Sequence, residues 1–160
     1  DILQGNQGRD TLAGDEGHDW VVGGQNDDML MGGEGNDIVH GNLGYDIVDG
    51  GAGNDTLYGG QADDSLKGWS GDDWLSGDRG ADTLMGGSGA DSFYVFAESG
   101  QETIIDFNPG EGDRILVAGG LSWTASQVGG DTVISLAGGA QVTLSGVLAA
   151  TSAGAWIVQV

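Results

Sequence analysis

A nine-residue unit written ten times in one phase, from Gly5 to Tyr94, leaves this chain few folds to choose from. Well-formed copies read Gly-Gly-Glu-Gly-Asn-Asp-Ile-Val-His (32–40) and Gly-Gly-Ala-Gly-Asn-Asp-Thr-Leu-Tyr (50–58), and no insertion or deletion interrupts the series. Position 1 is always glycine: Gly5, Gly14, Gly23, Gly32, Gly41, Gly50, Gly59, Gly68, Gly77 and Gly86. Position 4 is glycine at Gly8, Gly17, Gly35, Gly44, Gly53, Gly71, Gly80 and Gly89, with Asn26 and Ala62 as the departures. Position 6 is always aspartate: Asp10, Asp19, Asp28, Asp37, Asp46, Asp55, Asp64, Asp73, Asp82 and Asp91. Position 8 is always large and apolar: Leu12, Val21, Leu30, Val39, Val48, Leu57, Leu66, Leu75, Leu84 and Phe93.

That spacing has a geometric consequence. Six glycine-rich residues make a turn, because glycine reaches positive φ at no steric cost. The x-apolar-x triplet that follows suits a short strand with its middle side chain inward and its flanking ones outward. One unit reverses the chain, and two units, 18 residues, return it above its starting point. Stacked coils then form two parallel sheets around a thin seam of position-8 side chains. The turns collect in two edge columns, where aspartates one coil apart stand about 4.8 Å from each other. Carboxylates that close repel or hold cations. Hard oxygen ligands, carboxylates with turn carbonyls, select calcium over softer metals.

The unit resembles the RTX nonapeptide, Gly-Gly-x-Gly-x-Asp-x-(apolar)-x, a calcium-binding repeat, and the resemblance covers residues 1–94. It implies an all-β fold: a right-handed parallel β-roll of two parallel sheets, 18 residues per coil, followed by an antiparallel β cap. It also implies calcium ions between successive turns of one column, held by the position-6 aspartates and by turn carbonyls at positions 1 and 4. One column comprises loops 5–10, 23–28, 41–46, 59–64 and 77–82, the other loops 14–19, 32–37, 50–55, 68–73 and 86–91. Four gaps in each column imply about eight ions. Asp1-Ile2-Leu3-Gln4 reads as the end of an eleventh unit, with Asp1 half-completing a further site above Asp19.

Composition sets the bounds. A net charge of −21, with only Arg9, Lys67, Arg79 and Arg114 as cations, excludes a nucleic-acid phosphate binder and discourages docking on anionic membranes. About eight divalent ions would nearly balance that charge. There is no cysteine, which fits a fold stapled by metals rather than disulfides. No run of 18 apolar residues occurs, so membrane insertion through a helix is not expected. The chain begins inside a repeat and reads as a fragment of something longer. With site dissociation constants near ~10⁻⁴ M, free calcium of roughly 1 mM adds about 1.4 kcal/mol per site and on the order of 11 kcal/mol in all. The same chain is therefore expected to be disordered at cytosolic calcium and folded outside the cell.

After Tyr94 the pattern changes, dividing the chain into a roll at 1–94 and a cap at 95–160. Glu102–Phe107 and Asp113–Val117 read as a hairpin-like pair, Gly129–Leu136 and Ala140–Gly146 as a second, and Trp156–Val160 as a last strand. From Ile115 onward Asp131 is the sole charged side chain. This resembles the C-terminal flank of RTX proteins, which implies an uncleaved signal for the type I secretion machinery of Gram-negative bacteria. The alternative is simply a β cap sealing the roll. Asp106, Glu111 and Asp113 read either as one more calcium site or as a solvated turn.

Within the repeats, Ala62 and Trp69 depart from the glycine pattern, so the 59–64 loop is expected to distort, and Trp69 is an exposed loop aromatic, packs on a neighbouring turn, or meets a partner. Asp27, Asp63 and Asp72 at position 5 would add charge to their loops. The even-unit face carries Trp20, Ile38, Tyr58, Trp74 and Tyr94, apolar enough to be covered by an upstream domain, the C-terminal segment or a second copy. Aromatic side chains favouring exposed strands are the plainer account. His18 and His40 fit no zinc pattern, and no Gly-x-Ser-x-Gly elbow or phosphate-binding loop exists, so no catalytic residue is expected. Three roles fit these readings: a calcium-folding export module of a larger secreted protein, a calcium-rigidified surface adhesion or lattice module, and an accessory tail of a secreted hydrolase or polysaccharide-modifying enzyme.

Overall fold

The computed structural model describes residues 1–148 and 153–160; positions 149–152 of the 95–160 segment lie outside the described residues. The repeats form ten strands: β1 (Ile2–Gln7), β2 (Thr11–Glu16), β3 (Trp20–Gln25), β4 (Met29–Glu34), β5 (Ile38–Leu43), β6 (Ile47–Ala52), β7 (Thr56–Gln61), β8 (Ser65–Ser70), β9 (Trp74–Arg79) and β10 (Thr83–Ser88). Then come β11 (Ser92–Val95), β12 (Gln101–Ile104), β13 (Arg114–Val117), β14 (Trp123–Val128), β15 (Asp131–Leu136), β16 (Gln141–Leu144), a 3₁₀ turn (Ala153–Ala155) and β17 (Ile157–Gln159). Odd-numbered strands from β1 to β13, with β17, build one sheet; even-numbered strands from β2 to β12, with β14, β15 and β16, build the other. Within the repeats every pairing is parallel and 18 residues apart, as in Leu12↔Leu30 and Val39↔Leu57. This is the parallel β-roll that the nonapeptide spacing predicts.

Two features differ from expectation. The strands are six residues long, not three, because the ladder runs on through positions 1–3 of the next unit: Asn6 pairs with Gly24 and Asp15 with Gly33. Backbone groups that a loop would leave unpaired find partners in the identical segment of the adjacent coil. The chain bends at position 2 with positive φ while staying in the ladder, even at Trp69 (φ 77°). The second difference is the path after Tyr94. Segments 102–107 and 113–117 do not form a hairpin; β12 pairs parallel with β10 and β13 parallel with β11. The open end of the roll offers two ready-made strand edges, and Thr103 and Arg114 donate to the carbonyls of Asp82 and Asp91, each at 2.8 Å. The antiparallel part of the cap is the β14–β15–β16 meander, which contains the second expected pair; the final strand joins β13 in parallel.

The seam is dry. Position-8 side chains from Val21 to Phe93 are fully buried, and Leu3 and Leu12 are partly covered at the first coil. Beyond Phe93 the core widens around Phe107 and Trp156, whose rings lie 5.4 Å apart. On the outer face of the odd-numbered strands, His40, Tyr58, Trp74 and Tyr94 stack in a ladder with ring centroids 5.1, 5.1 and 5.4 Å apart. Three of the five apolar residues on this face are thus half-buried by their own neighbours, while Trp20 and Ile38 remain exposed. Ala62 takes φ 83° and still donates to Arg79 at 3.0 Å, so the loop absorbs strain rather than losing register. Trp69 is exposed, with its indole N–H donating to Asp49 at 2.8 Å and the Lys67 ammonium 5.8 Å from its ring.

Candidate metal centre

Why position 1 is glycine in every unit becomes clear from its surroundings. Its φ is not positive, so the requirement is space. A β-carbon on Gly32 would lie 2.5 Å from the Asp37 Oδ2 and 2.6 Å from the Gly50 carbonyl oxygen of the next coil. On Gly59 it would meet the Asp64 Oδ2 at 2.5 Å and the Gly77 carbonyl at 2.7 Å. The aspartate of one loop and the position-1 carbonyl of the next coil therefore converge over one α-carbon. Position 4 is set differently: Gly17, Gly44, Gly53 and Gly89 are in the left-handed region, and a β-carbon on Gly35, Gly71 or Gly80 would strike the position-4 carbonyl one coil back.

The position-6 carboxylates are held in fixed orientation. From Asp10 to Asp73 each backbone N–H in the series donates to the Oδ1 of the aspartate 18 residues later: Asp10 to Asp28, Asp19 to Asp37, Asp28 to Asp46 and Asp37 to Asp55, all at 2.8 Å. The pattern continues from Asp46 to Asp64, Asp55 to Asp73, Asp64 to Asp82 and Asp73 to Asp91 at 2.7–2.9 Å. Asp1 repeats it at the first coil, its nitrogen donating to Asp19 Oδ1. That leaves the other oxygen. The Oδ2 of all ten aspartates is buried with no hydrogen-bond partner among the described residues. Nine of the ten aspartates are nearly inaccessible; only Asp10, in the first coil, is less covered. A native fold rarely leaves buried carboxylate oxygens unsatisfied, so a repeated row of them fits sites for cations. All-oxygen donors, carboxylate and carbonyl, fit calcium.

At Asp46, Asp55, Asp64, Asp73 and Asp91 burial raises the carboxyl pKa and neighbouring carboxylates raise it further, against a partial offset from the backbone N–H each accepts. Asp46, Asp55 and Asp91 are pushed up to about 6, Asp73 to about 7 and Asp64 to about 8. Because the folded-state values lie above the ordinary one, protonation favours the metal-free fold. That contribution is complete below the ordinary range and is lost as pH rises through about 6–8. A calcium ion held by these oxygens would compete with protons for them. The calcium concentration at the midpoint of binding is therefore expected to rise as pH falls from 8 to 5, read by calcium titrations at fixed pH; a midpoint independent of pH would contradict it.

Outside the aspartate columns the structure sorts the remaining candidates. Position-5 side chains form a separate outer ladder: Asn36, Asn54, Asp63 and Asp72 accept the N–H groups of Asn54, Asp72, Ala81 and Ala90. Asp27 is held below its ordinary pKa by the Tyr45 N–H and the Arg9 guanidinium. At the end of the even-unit column, Asp113 accepts from Asp91 at 3.0 Å and from Asn108 at 2.8 Å, and Asp106 accepts from Gly86 and Gly87. Glu111 is exposed. The residue missed by sequence reading is Glu102, buried next to Asp82, with both carboxylate oxygens unpartnered. Gly100-Gln-Glu-Thr-Ile-Ile105 does carry positions 4–9 of the unit with glutamate for aspartate, but 20 residues, not 18, separate it from Asp82.

The family model described as "RTX calcium-binding nonapeptide repeat (4 copies)" matches residues 1–30, 31–66 and 58–93. Among solved structures, the AlgE6R3 subunit from the Azotobacter vinelandii mannuronan C5-epimerase is similar at 29% identity and TM-score 0.51, over 84% of this chain and 78% of that one. The extracellular lipase LipA from Serratia marcescens aligns at 17% identity and TM-score 0.45, over 89% of this chain; the chain spans 40% of that lipase's length. No curated protein matches.

Proposed function

Because the chain belongs to the RTX calcium-binding nonapeptide repeat family, we propose that it is the calcium-dependent folding module of a larger secreted protein. In this reading residues 1–94 hold the ions and residues 95–160 seal the roll and carry the type I export signal of a Gram-negative bacterium. The observation that supports it most is the row of buried aspartate Oδ2 atoms without partners. The aspartates of successive loops, from Asp10 to Asp82 in one column and from Asp19 to Asp91 in the other, would hold calcium together with the position-1 carbonyls. Calcium supplies the positive charge that lets those carboxylates lie one strand spacing apart. The chain's own residues aim the oxygens and exclude competing side chains. Position-4 residues, including Asn26 and Ala62, shape the bends.

At low calcium the unpaired carboxylates favour an expanded chain that can pass through an export channel, and at extracellular calcium the folded roll cannot slide back. The likeness to a subunit from an epimerase supports attachment to a polysaccharide-modifying enzyme as the setting of the module. The module itself supplies stability rather than chemistry. Equilibrium dialysis with radioactive calcium is expected to find about eight ions per chain from the gaps bounded by aspartates on both sides, with no comparable uptake of magnesium. Retention of only one or two ions would refute this assignment.

A further inference from the structure

The two columns end in opposite ways. In the even-unit column Asp113 takes the register of the next position-6 aspartate, and both its oxygens accept backbone N–H groups, from Asp91 and Asn108. In the odd-unit column that register belongs to Glu102, which directly precedes Thr103, the partner of Thr83. The ladder reaches it without a break: Gly80 bridges Gly100, Gly80 donates to Ser99 at 3.1 Å, and Gln101 donates back to Gly80 at 2.9 Å. Yet Glu102 is 2% exposed and, apart from the facing Asp82 carboxylate, neither of its oxygens has a hydrogen-bond partner among the described residues. Its Oε2 lies 2.5 Å from the point where a β-carbon on Gly77 would stand, beside the Asp82 Oδ2. At Gly5, Gly32, Gly41 and Gly59 that place is held by the position-1 carbonyl of the following coil.

We propose that Glu102 is a metal ligand that closes the odd-unit column with one further calcium site, shared with Asp82, its Oε2 standing in for the missing turn carbonyl. The coil from Asp82 to Glu102 is two residues longer than a repeat coil and has no position-1 glycine at its start, where Val95 belongs to the core. The carbonyl that the other gaps employ is therefore replaced, and the longer glutamate side chain carries its oxygen into the same space. With this gap counted, the odd-unit column has five places for an ion instead of four. This rests on the calcium reading of the repeats and extends it by one residue and one ion.

The rival account is an acid pair in which Glu102 stays protonated and donates to Asp82. Substitution Glu102→Gln separates the two, because glutamine keeps the shape and the donor of a protonated acid but cannot serve as a charged ligand. Equilibrium dialysis of the full chain in saturating calcium is expected to show one ion fewer for E102Q than for the parent chain, with far-ultraviolet circular dichroism of the folded form unchanged. An exposed control, Glu98→Gln, is expected to leave the count alone. If the parent binds calcium and E102Q binds the same number, the Glu102 site is wrong while the repeat sites stand. If the parent binds no calcium, both are wrong. Should E102Q fail to fold, Glu102→Asp carries the test: the shortened acid is expected to weaken the last ion to bind roughly tenfold. An unchanged titration curve would overturn the assignment.

Discussion

In excess chelator at neutral pH the chain is expected to lose its β-sheet circular dichroism and expand, and to recover both on addition of millimolar calcium but not magnesium. The reason is a balance of two terms. Eight sites with dissociation constants near ~10⁻⁴ M, as proposed, would contribute on the order of 11 kcal/mol at roughly 1 mM calcium, as much as the whole stability of an ordinary domain. Remove the metal and that term vanishes, while ten carboxylates remain stacked in two columns with one buried oxygen each unsatisfied. The seam of single leucine and valine side chains is thin, and no disulfide restrains the unfolded chain. Acidification in chelator should recover part of the compact state, because protons neutralise the groups that calcium otherwise satisfies. Size-exclusion chromatography with circular dichroism reads both arms. A compact roll persisting in chelator at pH 8 would refute the account.

Gly59→Ala is expected to be among the most damaging single methyl groups the chain can accept. The new β-carbon would lie 2.5 Å from the Asp64 Oδ2 and 2.7 Å from the Gly77 carbonyl. Neither can retreat: Asp64 is pinned through its Oδ1 to Asp46, and Gly77 sits in the ladder of the next coil. Relief requires spreading the coils at the place where both oxygens would meet an ion, so stability and calcium affinity fall together. A loss of about 3–4 kcal/mol is expected, with a correspondingly higher calcium midpoint. Gly130→Ala is the control, since a β-carbon there meets nothing within 4 Å and its φ is not positive; its effect should stay within about 0.5 kcal/mol. Equal tolerance of the two substitutions would remove the spatial explanation for position 1.

Much of the site is legible along the chain because a repeat makes neighbours in space out of residues at a fixed separation. Once the coil is 18 residues, Asp10 must meet Asp28, and Leu12 must stack with Leu30. Legibility ends where the period does. Glu102 carries the right chemistry in the right local pattern, but a coil lengthened by two residues hides it from any count by nines. The segments 102–107 and 113–117 look like a local hairpin, yet each joins a distant strand edge that exists only after the roll has formed.

What the amino-acid order alone determined is the coil: its length, its apolar seam, and which acid faces which. Those follow from local turn geometry and strand alternation, interactions that span one or two units. What the tertiary structure decided is how oxygens are shared. It pairs the Oδ1 of each aspartate from Asp28 to Asp91 with the backbone N–H of the preceding coil, leaves every Oδ2 without a hydrogen-bond partner among the described residues, and makes glycine at position 1 a matter of room rather than of φ. It also ends one column in hydrogen bonds and the other in a bare glutamate. Such outcomes depend on ångström-scale contacts between coils, which no single coil possesses.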